Sequence, residues 1–481
     1  MFERPPVTRS PRPMLVITVL ASCGMAVSLM QTLVVPLLPQ FPRLLGASPA
    51  TVAWLVTATL VAGAVCAPVL GRLGDMYGRR RMLLVALGLV TVGSALGAVA
   101  PGVEVLIVAR ALQGASLGVV PLGISIMREI LPGDRMGTGV ALMSSSLGIG
   151  GAIGLPLTGL VAERAGWRWL FAGAAVLCVL LLLLVHRLVR ESPERPGGRF
   201  DLPGAIGLTA ALVCLLLAIS KGSEWGWGSG RVLGLLVASA VLFALWGRYE
   251  MRTRSPLVDL RVSARPAVLW TNVASVLIGF SMFAGFLLTT QVLQAPLSTG
   301  YGHGLSLLTA GLVLLPVGAM MVVFSPLSAR ISRRRGARTT VLIGSGVLVL
   351  GNVWQATLPP SVPLLMAATT LTSIGAALAY AAIPLLIMEA VPPTETAAAN
   401  SLNSLMRMLG TSSCSAFAAA VASGMIMQVD GHAVPAAMAY TVVFLVAAAA
   451  ALLAAVAVGA TPFAERSRER ATGKVPASAS A

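Results

Sequence analysis

Residues 54–81 read WLVTATLVAGAVCAPVLGRLGDMYGRRR, an uncharged apolar run that ends in a cluster of four arginines and one aspartate. A run of about 20 apolar residues is long enough to cross the hydrocarbon core of a bilayer as a helix. A basic cluster at the end of such a run is typical of the cytoplasmic side. The stretch therefore predicts a membrane-spanning helix whose basic end faces the cytoplasm.

The same pattern recurs along the whole chain. Hydrophobic residues make up 57% of the 481 residues and charged residues only 11%, against about 25% charged residues in an ordinary soluble domain. A backbone in hydrocarbon must satisfy its own hydrogen bonds, so each apolar segment is predicted to be helical. We predict an all-α polytopic membrane protein with 14 transmembrane segments, near residues 14–38, 50–71, 82–101, 104–128, 136–162, 167–187, 203–220, 231–248, 267–291, 305–328, 339–356, 362–388, 398–427 and 436–459.

The positive charges predict the orientation of these segments. If the N-terminus lies inside, 27 of the 34 Lys and Arg residues fall in the inner tails and loops and five in the outer loops. This asymmetry satisfies the positive-inside rule in one orientation only. We expect a protein of the cell (inner) membrane, surrounded by lipid, with both termini in the cytoplasm. The net charge of +17 then reflects orientation, and no nucleic-acid partner is expected.

The apolar segments lack the side chains that catalysis would need. The five cysteines fall one each in five different segments, the three histidines lie outside the segments or at their ends, and no Asp or Glu lies near a segment middle. A metal site or a hydrolytic site requires several such groups together. We therefore predict no metal, no cofactor and no enzymatic activity.

An internal repeat divides the chain. The stretch Pro68-VLGRLGDMYGR-Arg80 aligns with Pro326-LSARISRRRGA-Arg338 at an offset of 258 residues. Two parallel six-helix halves that meet near the midplane are typical of secondary transporters. We expect a 6 + 2 + 6 arrangement: a cytoplasmic tail 1–13, a six-helix bundle 14–187, a linker 188–266 with two extra helices (about 203–220 and 231–248), a six-helix bundle 267–459, and a disordered cytoplasmic tail 460–481.

The loop Gly71-RLGDMYGRR-Arg81 resembles the loop motif of the major facilitator superfamily, and nearly the whole chain, about residues 14–460, is similar to its fourteen-helix drug:proton antiporter branch. The resemblance implies the major facilitator fold and alternating access. It also implies that Gly71, Asp75, Gly78, Arg79 and Arg80 form a conformational latch. The residues themselves suit such a role, because glycines let helix ends approach and Asp75 can accept backbone N–H bonds at a helix N-terminus. The alternative is a tight basic turn that serves topology alone.

A second similarity to this family lies in segment 4, at Arg110-ALQ-Gly114. A helical arginine in hydrocarbon normally faces protein or water, because its burial in lipid is costly. The resemblance implies a part for Arg110 and Gln113 in proton transfer. The alternative is that the Arg110 side chain extends outward past Glu104.

The third similarity is Gly148-IGGAIGLPLT-Gly159 in segment 5, which resembles the glycine-rich antiporter motif associated with export. Gly150 and Gly154 are four residues apart and share a helix face that permits close packing, while Pro156 is expected to bend the remainder of the helix. Gly159 completes the motif. Leu155 separates the glycine from the proline that usually comes directly after it, and generic glycine packing is the alternative interpretation.

Segment 13 carries a polar stripe at helical spacing: Asn400, Asn403, Ser404, Arg407 and Thr411. Arg407 lies about 13 Å along the helix from its start, too deep to reach an interface easily. We expect it to line a substrate cavity, the alternative being a structural bond between helices. Further cavity candidates, chosen for polarity and depth, are Gln31, Thr32, Asn272, Asn400 and Asn403.

Segment 1 departs from the pattern of the branch, which has an Asp two residues before a Thr. Here Met30 stands two residues before Thr32, so the embedded carboxylate expected to carry protons is absent. The remaining acidic candidates for proton coupling are Glu129 and Glu389 at inner segment ends. Two deep arginines without deep acids favour a neutral or anionic substrate.

The sequence thus predicts an exporter of amphipathic small molecules such as drugs or antibiotics, functional as a monomer and exchanging substrate for protons. The alternative is a proton-independent facilitator or metabolite exporter of the same fold. A channel would need a continuous polar ring, whereas only segment 13 carries a clear stripe.

Overall fold

The computed structural model describes residues 13–34, 37, 41–131, 133–191, 200–253, 256–258, 260–359, 361–392, 395–429 and 432–460. Within these residues, 14 helices are long and apolar enough to span a membrane, as the sequence predicted. They are α1 Pro13–Thr32, α2 Pro49–Tyr77, α3 Arg79–Ala98, α4 Val103–Ile130, α5 Gly133–Arg164, α6 Arg168–Leu188, α7 Leu202–Trp225, α8 Gly230–Glu250, α9 Pro266–Gln294, α10 Leu308–Arg335, α11 Ala337–Ala356, α12 Val362–Ala390, α13 Thr396–Gly424 and α14 Ala437–Ala460.

Two groups of helices pack within themselves and then against each other. Helix α1 packs on α5 and α6, and α3 packs on α4 and α6; α9 packs on α13 and α14, and α11 on α12 and α14. The two groups meet where α5 contacts α10 and α12 and where α2 contacts α13. Helices α7 and α8 pack against each other, and α7 also packs against α2 and α13. The extra pair therefore lies beside one seam between the halves.

The turn between α2 and α3 is shorter than the sequence predicted. Helix α2 continues to Tyr77 and α3 begins at Arg79, so Gly71 and Asp75 are helical and Gly78 alone forms the turn. Gly78 has φ 118°, and Gly336 has φ 86° in the matching turn between α10 and α11. Glycine is required there because it adopts positive φ without steric cost. We call the membrane face that carries these two turns the basic end, and the opposite face the far end.

Several further boundaries differ from the prediction. Helix α7 continues to Trp225, so Lys221, expected in an outer loop, is 1% exposed within the helix. It pairs with Glu224 at 2.7 Å and lies 5.4 Å from the centre of the Trp54 ring. At the far end between α13 and α14, strands β1 Ile426–Val429 and β2 His432–Pro435 form a hairpin that hydropathy did not reveal. Both tails, except residue 13 and residue 460, lie outside the described residues.

Candidate functional site

A buried charge network sits beside Gly78 at the basic end. Arg79 donates to Asp75 Oδ1 from Nε at 3.1 Å and from Nη2 at 2.9 Å. Its Nη1 pairs with Glu129 at the end of α4. Asp75 and Arg79 are only 4% and 7% exposed, so the charges stabilise each other away from water. The sequence motif thus gathers side chains from α2, α3 and α4.

The same network reaches across to the second group of helices. The backbone N–H of Ala398, in the first turn of α13, donates to Asp75 Oδ2 at 3.0 Å. An anion at a helix N-terminus is stabilised both by unpaired N–H groups and by the helix dipole. Nearby, Arg128 donates to the Met388 carbonyl at 3.0 Å and to the Thr396 hydroxyl. These contacts join the two halves at the basic end.

Gly78 and Arg80 of the motif pack against the end of α6 and the residues that follow it, which the motif alone did not indicate. The backbone N–H of Arg80 donates to Glu191 Oε1 at 3.2 Å, and its side chain donates to the His186 carbonyl. A methyl group on Gly78 would lie 2.5 Å from Glu191 Oε1. Gly71 is buried inside α2. The turn is therefore held against the end of α6 and the residues just beyond it.

Arg110 is buried in α4 and donates to three protein acceptors. It donates to the Met30 carbonyl at 2.9 Å, to the Leu55 carbonyl at 3.2 Å and to Gln113 Oε1 at 2.7 Å. Gln113 in turn donates to Ser94 Oγ at 2.9 Å. Arg110 is 2% exposed, so it does not extend outward to water. Its guanidinium ties α1, α2 and α4 together, and one of its acceptors belongs to Met30.

The glycines of α5 mark its contact with α1. A methyl group on Gly150 would lie 2.3 Å from the Met25 carbonyl, and one on Gly154 would lie 1.9 Å from Thr32 Oγ1. Gly159 has more room, because its nearest neighbour would be 3.7 Å away. Pro156 is accommodated inside the continuous helix. Close packing of α1 on α5 thus depends on the first two glycines.

Most of the predicted cavity residues bond to protein. Asn403 donates to Asn272 Oδ1 at 3.0 Å and to Ser275 Oγ at 2.7 Å, which links α13 to α9. Asn400 donates to the Thr396 carbonyl at 3.0 Å. All three asparagines are at most 6% exposed. Asn272 and Asn403 belong to the contact between α9 and α13, whereas Asn400 bonds within α13.

Two of the predicted cavity residues lie in α1. Thr32 donates back to the Leu29 carbonyl at 3.1 Å and packs against α5. Gln31, by contrast, is exposed. Of the acidic candidates, Glu129 pairs with Arg79, whereas Glu389 is exposed at the end of α12.

Arg407 differs from Arg110 in having few protein acceptors. In the described part of the chain its one hydrogen bond goes to Ser404 Oγ, at 3.2 Å. Arg407 is only partly buried, and the other nitrogen atoms of its guanidinium bond to no described residue. These nitrogen atoms therefore stay accessible. The guanidinium carbon lies 5.0 Å from the centre of the Tyr380 ring, a cation–π distance. Arg407 therefore presents donors that protein groups leave unoccupied.

Tyr380 places this arginine near the seam between the halves. The Ser144 hydroxyl of α5 donates to the Tyr380 carbonyl at 3.5 Å, and Ala141, Ala329 and Ala381 pack together close by. Sequence analysis did not identify Tyr380 or Ser144, because neither belongs to a polar stripe or a motif.

A small cavity of about 110 Å³ opens at the far end between α2, α7 and α13. Its polar lining is formed by Thr57, Ser220, Ser412 and Ser415, and Thr57 and Ser220 share a 2.6 Å hydrogen bond. Among the described residues, no group of three or more His, Cys, Asp or Glu side chains could hold a metal ion.

Comparison with known proteins identifies the family. The Major Facilitator Superfamily matches residues 20–412 and 335–481. The chain belongs to this superfamily. It is a multi-pass membrane transporter and not an enzyme, and the resemblance found in its motifs is confirmed.

Its similar proteins include several antibiotic exporters. The cephamycin export protein CmcT of Amycolatopsis lactamdurans is 31% identical over 78% of this chain and 77% of its own length. The tetracenomycin C resistance and export protein of Streptomyces glaucescens is 30% identical over 69% of this chain, which spans only 60% of that protein. Multidrug resistance protein Stp of Mycobacterium tuberculosis is 29% identical over 78% of the chain and 69% of its own length.

Solved structures confirm the predicted fold. The human organic anion transporter MFSD10 superimposes with a TM-score of 0.67 at 19% identity, covering 93% of this chain and all of that one. The proton:xylose symporter XylE gives a TM-score of 0.62 at 15% identity, covering 93% of this chain and 95% of its own. At these identities the likeness concerns the fold alone.

Proposed function

We propose that this transporter is a secondary active exporter of amphipathic small molecules that works by alternating access. The observation that carries the proposal is the bond from the Ala398 N–H to Asp75, which joins the two halves at the basic end and would have to break for that end to open. The export functions in the names of its similar proteins support the direction of transport. The basic end faces the cytoplasm, both termini lie there, and the described state is closed to the cytoplasm.

In this proposal Gly71, Asp75, Gly78, Arg79 and Arg80 act as the latch. The ionised forms of Asp75 and Glu129 hold Arg79 and the α13 N-terminus, so a proton on either acid weakens the closed state. Proton exchange therefore enters through the latch acids, because α1 offers no carboxylate in its membrane interior. Arg110 and Gln113 keep α1, α2 and α4 in register during the cycle.

Arg407 is the proposed substrate contact. Its open donors and the Tyr380 ring offer a hydrogen-bonding and aromatic surface near the midplane. A guanidinium binds carboxylates and other oxygen acceptors well and repels cations. The preferred substrates are therefore neutral or anionic amphiphiles.

Transport by the purified protein in liposomes tests this proposal. One anionic, one neutral and one ethidium-type cationic dye are offered with and without an imposed pH gradient. Accumulation of the anionic and neutral dyes that collapses with an ionophore supports proton-coupled export. Saturable flux that does not depend on the pH gradient supports the proton-independent facilitator instead.

The Arg407→Ala variant tests the substrate contact in the same liposomes. We expect a raised KM for the anionic dye, and no change in Arg231→Ala, which removes an exposed arginine at the far end. Strong saturable export of ethidium-type cations that is unaffected by Arg407→Ala would show that this residue does not select the substrate.

A further inference from the structure

Two carboxyl groups meet at the basic end of the extra helix pair, apart from the latch and from Arg407. Asp201 immediately precedes α7, and Glu250 is the last residue of α8. They are only 7% and 2% exposed, although an acidic side chain at a helix end is normally solvated. The surroundings must therefore compensate for their charge.

Each carboxyl group has one oxygen that is bonded. Asp201 Oδ1 accepts from the Gly204 N–H at 2.9 Å and from the Tyr249 hydroxyl at 3.0 Å. Glu250 Oε1 accepts from the Val258 N–H at 2.7 Å. These bonds fix the direction of both side chains.

The second oxygens point toward one another. Asp201 Oδ2 and Glu250 Oε2 are buried and have no donor among the described residues. A methyl group on Gly204 would lie 2.2 Å from the first oxygen and 2.8 Å from the second, so both face the same small space. These two distances place the second oxygens no more than 5.0 Å apart.

Among the described residues, the neighbouring groups do not neutralise two negative charges. Tyr249 is already a donor to Asp201, and the α13 side chains in the surrounding cluster are apolar. In the described structure, neither carboxyl forms an ion pair with the charged groups of the adjoining elements, which are Arg72 on α2, Arg248 on α8, and Arg252 and Arg261 beyond it. Adjacent buried carboxylates cannot both remain ionised at moderate cost.

We propose that Asp201 and Glu250 share one proton and form a proton-binding site at the basic end of the α7–α8 pair. A single proton satisfies both oxygens, because one carboxyl then donates and the other accepts. A metal cation fits poorly, since Ca²⁺ and Mg²⁺ need about six or more oxygen ligands and two are available here.

This proton holds two parts of the chain together. Glu250 binds the backbone at Val258, in the connection that leads to α9, and Asp201 begins α7. Loss of the proton leaves two anions side by side and separates the start of α7 from that connection. The stability of the protein should therefore fall when a rising pH removes this proton.

Infrared difference spectroscopy of the full-length protein in lipid tests the site through the carbonyl stretch of protonated carboxyl groups. We expect the wild type at neutral pH to show such a band, and Asp201→Asn and Glu250→Gln each to lose the equivalent of one carboxyl. Glu104→Gln, which alters an exposed acid, should leave the band unchanged. Absence of the band in the wild type, or its survival in both variants, would overturn the proposal.

Thermal unfolding as a function of pH provides a second measurement. The unfolding midpoint of the wild type should decline as the pH rises, whereas that of Glu250→Gln should stay constant. The glutamine amide N–H donates to Asp201 at every pH. Arg254 comes four residues after Glu250 and lies outside the described residues. The Arg254→Gln variant should keep the wild-type profile, since a flat one would mean that Glu250 is ionised and paired with that arginine. A carboxylate band that shifts on adding K⁺ or Mg²⁺ would assign the site to a metal ion and overturn the shared proton.

Discussion

Removal of the Asp75 carboxylate should shift the transporter toward the state that is open at the basic end. Asp75→Ala deletes the acceptor of the Ala398 N–H, 3.0 Å away, at the N-terminus of α13. A hydrogen bond to a charged group contributes about 1.5–3 kcal/mol, and an anion at a helix N-terminus adds about 0.3–1 kcal/mol. Arg79 keeps Glu129 as a partner, so no unpaired charge is left to unfold the protein.

The expected loss of about 2–3 kcal/mol acts on the closed state alone, because the Asp75–Ala398 bond spans the two halves. Since about 1.4 kcal/mol corresponds to a tenfold change, the open population should rise about 30- to 150-fold. Asp75→Asn keeps a neutral acceptor and should give a rise of about fivefold, because only the charge-dependent part is lost.

Cysteine accessibility measures this shift. Ala381 is 1% exposed at the seam, nine residues before the basic end of α12, and Ala381→Cys is introduced after the five native cysteines are replaced. The labelling rate by an impermeant maleimide in inside-out vesicles should rise in the order wild type, Asp75→Asn, Asp75→Ala. A rate that changes less than about twofold in both variants, with unfolding unaltered, would refute the assignment of this bond as a latch.

Three further predictions concern the packing. Gly78→Ala should lower the midpoint of thermal unfolding more than Gly336→Ala, because both residues have positive φ but only a methyl group on Gly78 meets a neighbour within 4 Å; equal losses would contradict this. Gly154→Ala should reduce both stability and transport, since its methyl group would lie 1.9 Å from a hydroxyl oxygen of α1; wild-type behaviour in both assays would contradict that packing. Arg110→Lys should destabilise by about 1–3 kcal/mol, because an ammonium cannot reach acceptors on three helices, whereas Arg407→Lys should cost less; denaturant unfolding compares the two.

The transmembrane architecture was predictable because hydrocarbon imposes one rule on every segment. Backbone groups must be satisfied within the helix, so apolar length alone located all 14 helices, with ends such as Tyr77 and Trp225 displaced by a few residues. The predicted ends were too early because Arg72 and Lys221 are charged and were assigned to loops. A helix can nevertheless continue beyond the apolar core and include such residues.

The candidate site was only partly predictable. Asp75 and Arg79 lie in one motif, yet their partners Glu129 and Ala398 come from helices distant in sequence, and no periodicity relates them. Polarity and depth identified Asn403 as a cavity residue, but a polar side chain at that depth is equally suited to bond a neighbouring helix, and Asn403 bonds α9. Tyr380 gave no signal, because one aromatic residue in an apolar helix has many ordinary uses.

The single-residue turn at Gly78 also determines how movement spreads through the molecule. At 1.5 Å per residue, the 29 residues of α2 form a rod about 43 Å long. Because only one residue connects them, α2 and α3 are expected to tilt together as one rigid unit. A tilt of about 10° around the middle moves each tip by roughly 4 Å, in opposite directions at the two membrane faces. An inserted residue beside Gly78 would let the two helices tilt separately, so a tilt of α2 would no longer carry α3 with it.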